Sequence, residues 1–172
     1  FTTMTLNGAS WFNANTITFA SGASTARTMG GSNGIDLRDS GAKIDNDSSG
    51  THVFNVSIAF NVNPVQFRVD SGDLTFNGNL FFKGNWMDVY GGAGKTLSLH
   101  GVLKRDGGDG GIAVKEDVIV SITNNNDASA SDGITGAYWI ERGVIRLAGS
   151  TNAAGASGII NVGTNASLQL NA

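Results

Sequence analysis

Short runs of alternating apolar and polar residues recur along the chain, and Gly, Asn or Ser separates one run from the next. Within a run every second position is apolar, which is typical of a strand with one buried face. Successive apolar pairs begin 18 to 27 residues apart. The pairs are Ile17/Phe19, Ile35/Leu37, Phe54/Val56, Leu74/Phe76, Leu97/Leu99, Val118/Val120, Ile145/Leu147 and Leu168/Leu170. This spacing predicts a solenoid, whose turns bury their apolar faces by stacking on one another.

No segment has the 3.6-residue period of an amphipathic helix, so the predicted fold class is all-β. We expect a right-handed parallel β-helix of about eight rungs. It forms a single domain over 1–172, less regular over 1–50 and regular over 51–172. The abundant glycine (25 residues) suits the tight corners of such a fold. The predicted core comprises Leu74, Phe76, Leu97, Leu99, Val118, Val120, Ile145, Leu147, Leu168 and Leu170.

Composition excludes several classes of function. The net charge is −3 and the 11 basic residues are scattered singly, so no basic stripe exists to bind nucleic acid. No apolar run approaches the roughly 18 residues of a membrane-spanning helix, so we expect no membrane insertion by this chain. The absence of cysteine excludes disulfides and thiolate metal sites. The low content of charged residues (15%) favours an extracellular or bacterial cell-surface location.

The last third of the chain resembles a known repeat. Residues 139–152 and 158–170 each carry a Gly, inward aliphatic pairs and a Gly/Asn-rich turn, and 71–79 carries the first half of the pattern. This cadence is similar to the autotransporter-associated β-strand repeat, over roughly Val69 to Ala172. The resemblance implies a right-handed parallel β-helix with an extracellular, mostly non-enzymatic role. The membrane-barrel translocator of true autotransporters is missing from this sequence.

Both ends of the sequence read as strand, and we predict that they form an assembly interface. An uncapped end rung presents unpaired N–H and C=O groups, a template for another strand. Two interpretations stay open: a piece of a longer passenger chain, or subunits that stack or donate a strand. The start at Phe1 without a signal peptide fits a processed mature protein or an excerpt of a longer chain. The predicted interface residues are Thr2, Thr3, Met4, Thr5, Leu6, Ser167, Leu168, Gln169 and Leu170.

Two glycine-rich segments resemble ligand-binding loops. Gly91–Thr96 is similar to the end of a P-loop, but Val89 replaces an expected Gly and strand-like sequence follows, so a solenoid corner is predicted. Asp106–Gly111 is similar to the calcium turns of β-rolls, which need the pattern in tandem, whereas here it occurs once. We predict a flexible turn there, with adventitious Ca²⁺ binding as the alternative. Asp45–Asp47 is a weaker example of the same kind.

Catalytic and metal-binding patterns are weak. The carboxylate pairs Asp36/Asp39 and Asp70/Asp73 adjoin corners, and a lyase-like site would need Arg38, Lys43, Asp45 and Arg68 to meet across rungs. We favour solvated edge charges that discourage lateral aggregation. His52 and His100 stand alone, so no metal, cofactor or catalytic residue is predicted.

The aromatic residues leave a second class of function open. Trp11, Trp86, Trp139, Tyr90 and Tyr138 are expected to pack the core or an interface, although exposed ones would stack on sugar rings. The glycosylation-type triplets at Asn46, Asn55 and Asn165 are expected by chance in an Asn-rich chain. The predicted function is a non-catalytic fibre subunit or surface passenger that binds itself, or a longer passenger chain. The alternatives are a carbohydrate-binding or carbohydrate-cleaving β-helix, with surface glycans as partners, and a phage tail-spike segment.

Overall fold

In the computed structural model the chain folds into a parallel β-solenoid of about seven turns. The structure describes residues 3–8, 10–124, 136–149, 153–155 and 159–171. These ranges contain strands and turns but no helix, and therefore none that would span a bilayer. The predicted all-β class and parallel β-helix are confirmed, with about seven turns in place of the eight rungs expected.

Each turn of the solenoid contributes short strands of two to six residues, until the last two strands lengthen to 11 and 12 residues. In chain order the strands are β1 (Thr3–Leu6), β2 (Phe12–Ala14), β3 (Thr16–Phe19), β4 (Thr28–Gly31), β5 (Ile35–Leu37), β6 (Lys43–Asn46), β7 (His52–Phe54), β8 (Ile58–Phe60), β9 (Val65–Val69), β10 (Leu74–Phe76), β11 (Leu80–Phe81), β12 (Trp86–Gly91), β13 (Thr96–Leu99), β14 (Leu103–Lys104), β15 (Gly111–Val114), β16 (Ile119–Ile122), β17 (Tyr138–Ala148) and β18 (Ile160–Asn171).

Every third strand belongs to the same face, so the solenoid has three faces. The first face runs β1-β4-β7-β10-β13-β16 and continues in the second halves of β17 and β18. The second face is the five-stranded sheet β2-β5-β8-β11-β14. The third face runs β3-β6-β9-β12-β15 and continues in the first halves of β17 and β18. All neighbouring strands are parallel, because the chain returns to each face once per turn.

Like apolar positions stack above one another, which is what holds the turns together. On the first face Leu74 pairs in register with Leu97, Leu97 with Val120, and Val120 with Ile145. Ile145 in turn pairs with Leu168, so the column predicted from the sequence is confirmed. Of the ten predicted core residues, Leu147 and Leu168 are partly buried and Leu170 is 72% exposed, since they approach the end of the stack.

Glycine is required at the corner between the first and second faces. A Cβ at Gly101 would lie 1.9 Å from the carbonyl oxygen of Gly78, and a Cβ at Gly78 would lie 2.1 Å from that of Val56. Such distances are shorter than any real contact, so a side chain is excluded where successive turns pass this corner. The recurrent Gly of the sequence pattern is therefore a packing requirement.

Four of the predicted apolar pairs were assigned wrongly. Ile17/Phe19 lies on the third face and Ile35/Leu37 on the second, whereas the first face begins with β1 and β4. Two other pairs are displaced by two residues. The two inward residues of the first face are His52 and Phe54 on β7, and Val120 and Ile122 on β16. All three faces alternate with the same two-residue period, so the period alone does not say to which face a pair belongs.

Candidate functional site

The last strand leaves an open edge at one end of the solenoid. Within the described residues β18 pairs with β17 and with no strand beyond it. Its inward positions are consequently exposed, Leu170 by 72% and Val162 by 48%. Open strand edges with apolar side chains are templates for pairing with a further strand.

The opposite end is open in the same way. β1 pairs with β4 and, within the described part of the chain, with nothing on its other side. Met4 is 38% exposed on the first face and Phe12 is 51% exposed on the second. The two ends therefore present apolar side chains at the places where a further turn would stack.

Two apolar columns run from one open end to the other through paired positions, and the register shift in the β17–β18 pairing, between Ile140 and Arg142, lies between them. On the first face the column begins with Met4, which pairs with Met29. It continues through Phe54 and one residue of each later strand, and it ends where Leu147 pairs with Leu170. On the third face a second column leads in the same way from Ile17 to Val162. A copy placed on β18 with its own β1 would set Met4 over Leu170.

The predicted assembly residues fall on these two end strands. Thr3, Met4, Thr5 and Leu6 form β1, and Ser167, Leu168, Gln169 and Leu170 lie in β18, all on the first face. Thr2 lies outside the described residues. Gln169 points outward, where its Oε1 accepts a hydrogen bond from Arg146 Nε at 3.0 Å.

A groove of about 410 Å³ lies on the outside of the third face. Trp86 and Trp139 line it as an edge-to-face pair with ring centroids 5.7 Å apart, and Ala113, which pairs in register with Trp139, forms part of its wall. Trp139 is 47% exposed. Asn63 and Pro64 complete the lining at the side of the earlier turn. Two indole rings beside polar groups are a surface on which a sugar ring would stack.

Charged groups flank this groove. Burial raises the pKa of Asp88 above its ordinary value, against the attraction of Lys115. Lys115 donates a hydrogen bond to Glu141 on the next turn, and this bond raises the pKa of its own ammonium. The groove thus combines two aromatic rings with a carboxylate and an ammonium group.

Three carboxylates from two turns converge at a corner of the third face. One oxygen each of Asp45, Asp47 and Asp70 lies within 4.8 Å of the other two. Burial, followed by repulsion from Asp45, raises the pKa of Asp47. The spacing of residues along the sequence does not reveal this cluster, because Asp47 and Asp70 become neighbours only through the register of β6 and β9.

The lyase-like group considered from the sequence is assembled in part. Lys43 Nζ lies 2.8 Å from Asp45 Oδ2, and Arg68 Nε lies 3.3 Å from Asp70 Oδ2. Arg38, by contrast, is on the second face, where it binds Asp36 at 2.5 Å. The four residues that a lyase-like site would need therefore do not all meet, because the corner between Arg38 and Lys43 moves the chain to the next face.

The other carboxylate pair candidates have separate partners. Asp36 also accepts a hydrogen bond from Asn61, and Asp73 Oδ1 accepts one from the backbone N–H of Thr96 at 2.8 Å. Asp39 has a positive φ of 73°, which marks it as a turn residue. Asp36 and Asp73 thus join adjacent turns of the solenoid.

The two glycine-rich segments are turns. β12 ends at Gly91 and β13 begins at Thr96, so the predicted corner between them is confirmed. In the segment Asp106–Gly111, Asp106 lies 3.9 Å from Lys83 and Asp109 lies 3.6 Å from Arg105. Both acidic side chains thus face cations of the chain itself.

Sequence reasoning missed a buried polar corner between β6 and β7. His52 is fully buried and takes an apolar position on the first face, where it stacks on Phe19 at 3.8 Å. Its Nδ1 accepts a hydrogen bond from the Arg27 N–H, so its Nε2 carries the proton and donates to Ser48 Oγ at 2.6 Å. Ser48 Oγ in turn donates to Asn46 Oδ1 at 2.7 Å. His52 is therefore a structural residue, while His100 is exposed and binds Asn77.

The remaining aromatic candidates divide between core and surface. Tyr138 is buried, its hydroxyl donates to the Ala154 carbonyl at 2.9 Å, and burial raises its pKa. Tyr90 lies under Arg68, with 5.1 Å between the guanidinium carbon and the ring centroid. Trp11 meets Phe81 edge to face on the second face at 5.6 Å. Core packing thus holds for Tyr138, whereas the three tryptophans lie outside.

Comparison with known proteins identified no relative: no protein-family model, no curated protein and no solved structure matches this chain.

Proposed function

We propose that this chain is a non-catalytic structural β-solenoid of the extracellular space or bacterial surface, joined to further turns through its end strands. The observation that carries the proposal is the continuity of the apolar columns from Met4 to Leu170 and from Ile17 to Val162. Because both ends present these two columns, a second copy stacked head to tail continues the first-face and the third-face column. Such a contact is heterologous and does not close, so it extends into a filament.

The repeat resemblance supports the surface-passenger form of this proposal. Residues 139–152 and 158–170 contain most of β17 and β18, which pair in register along most of their length. Each repeat therefore corresponds to one turn of the stack. Further repeats of the same pattern would add turns at the β18 edge, because the added strands would form main-chain hydrogen bonds with β18 and place their aliphatic residues in the same columns.

Sedimentation velocity and negative-stain electron microscopy at rising protein concentration test the assembly. The wild-type chain is expected to form filaments whose length grows with concentration. The Leu170→Lys variant places a charge in the exposed column and is expected to give monomers. Ser98→Lys is the matched control, because it adds the same charge at an outward position of the first face on β13, far from both end strands.

Assembly by end strands is refuted if the wild-type chain stays monomeric at high concentration. It is also refuted if Leu170→Lys and Ser98→Lys assemble to the same extent, since the added charge would then act regardless of its position. Met4→Lys, at the other end, is expected to reproduce the Leu170→Lys result, because each contact joins β1 of one copy to β18 of the next. Thermal unfolding of the variants monitors their folding.

A specific observation favours one second candidate, the binding of a saccharide. The Trp86/Trp139 groove places two indole rings beside Asp88, Lys115 and the amide of Asn63, which suits a sugar ring with apolar faces and polar edges. The test is quenching of tryptophan fluorescence by neutral and acidic oligosaccharides. Trp139→Ala is expected to abolish binding, whereas Trp11→Ala, on another face, is expected to preserve it. Equal binding by the two variants would refute this site.

A further inference from the structure

The corner after β6 and β9 has an unusual charge arrangement. Asp45 and Asp47 come from the second turn of the solenoid and Asp70 from the third. Asn46 and Val69 are paired in register, so Asp47 and Asp70 follow as neighbours on adjacent turns. Three carboxylates held this close repel one another, and that repulsion contributes to the raised pKa of Asp47.

A second observation comes from the buried member of the cluster. Asp45 is 5% exposed, and its Oδ2 accepts a hydrogen bond from Lys43 Nζ. Its Oδ1 has no hydrogen-bond partner, and it is the one buried side-chain oxygen or nitrogen of the described residues in that condition. Leaving a buried charged oxygen without a partner costs free energy, so such an atom calls for a ligand.

We propose that Asp45, Asp47 and Asp70 bind one Ca²⁺ ion that joins the second and third turns. Ca²⁺ takes carboxylate oxygens at 2.3–2.6 Å, so two oxygens on the same ion lie at most about 5 Å apart. The oxygens of this cluster satisfy that limit. Mg²⁺ demands near-ideal octahedral geometry at about 2.0–2.1 Å and gives up its waters reluctantly, so a site made of three carboxylates favours Ca²⁺.

The neighbouring cations set the expected strength of the site. Lys43 and Arg68 contact Oδ2 of Asp45 and of Asp70, which leaves the other oxygen of each carboxylate for the ion. Together the three carboxylates and two cations carry one net negative charge. That is low for a tight calcium site, so we expect a dissociation constant on the order of 0.1–1 mM, as in extracellular modules.

Isothermal titration of the wild-type chain with CaCl₂ and thermal unfolding with and without 10 mM CaCl₂ test the proposal. We expect one ion per chain and a rise in Tm of about 4–7 °C, which follows from a dissociation constant in the middle of that range. MgCl₂ at the same concentration is expected to raise Tm much less.

Asp70→Asn and Asp47→Asn are expected to abolish the calcium-dependent rise in Tm while leaving the calcium-free Tm close to that of the wild type. Each variant removes repulsion within the cluster, and the ion pair with Arg68 that Asp70→Asn also loses is partly exposed and therefore weak. Asp117→Asn is the matched control: its carboxylate binds Arg142 at 2.6 Å on a later turn, and the calcium response should persist. The assignment is overturned if the wild type shows no saturable binding by 10 mM CaCl₂. It is also overturned if Asp70→Asn responds like Asp117→Asn, or if MgCl₂ matches CaCl₂.

Discussion

Replacing Asn46 with alanine removes the centre of the buried polar corner between β6 and β7. Asn46 is fully buried, and its side chain makes four hydrogen bonds. Its Nδ2 donates to the carbonyls of Gly50 and Asp73, each at 3.0 Å. Its Oδ1 accepts from the Ser48 N–H at 3.1 Å and from Ser48 Oγ at 2.7 Å. An asparagine side chain has two donors and two acceptor sites, so its capacity is used in full.

The expected loss of stability follows from what the alanine leaves behind. The Asp73 carbonyl keeps the hydrogen bond from the His52 N–H at 3.1 Å, and Ser48 Oγ keeps His52 Nε2. The Ser48 N–H and the Gly50 carbonyl lose the partner that Asn46 provided. At about 1–3 kcal/mol for each buried group left unpaired, the total is about 2–6 kcal/mol. That is a large fraction of the roughly 5–15 kcal/mol typical of a domain.

Urea unfolding followed by circular dichroism and tryptophan fluorescence measures this loss, provided that the two probes give coincident transitions. The control is Asn77→Ala, which removes the same side chain from exposed hydrogen bonds to Asn55 and His100. We expect the control to change the unfolding free energy by less than about 0.5 kcal/mol. Equal losses for Asn46→Ala and Asn77→Ala would refute the reasoning, because burial of the network would then contribute nothing.

Two further predictions concern the core and the corners. Burial, then the charge of Arg27, lowers the pKa of His52 below 6.5, so the fold holds the neutral ring and its stability falls as pH decreases below about 6.5. Thermal unfolding at pH 7.5 and 5 is expected to show a smaller pH dependence for His52→Gln than for the wild type; equal slopes would contradict this. Gly101→Ala is expected to destabilise by at least about 1–3 kcal/mol, since its Cβ would meet a backbone oxygen at 1.9 Å. Gly22→Ala, where nothing lies within 4 Å, is the control in urea unfolding, and a similar effect of the two would contradict the reasoning.

The regular part of the fold was predictable because its aliphatic pairs recur at a nearly even spacing along the sequence. The column through Leu74, Leu97, Ile145 and Leu168 follows directly from their spacing. The pair Ile17/Phe19 was assigned to the wrong face, because strands of all three faces alternate apolar and polar residues with the same two-residue period. A sequence pattern predicts stacking more readily than it predicts the face on which a pair stacks.

The polar features escaped prediction for a different reason. His52 occupies a position that looks surface-like in sequence, and its burial depends on partners supplied by Ser48 and Arg27. Asp47 and Asp70 become neighbours through the pairing of two strands, which sequence spacing alone does not establish. The signal that would have helped is the register, since one known pair such as Asn46 and Val69 places every neighbour on the two turns.

The length of β17 has a mechanical consequence. β17 passes from the third face to the first as one strand of 11 residues, with Gly143 at a φ of 80° and a bulge in the β17–β18 pairing just before it. On earlier turns separate strands meet at a corner, where each can loosen alone. A tension applied along β18 would instead load the hydrogen bonds on both sides of the bend together. We therefore expect the last two turns, formed by β17 and β18, to resist strand-by-strand peeling under force and to separate from the rest of the solenoid in a single step.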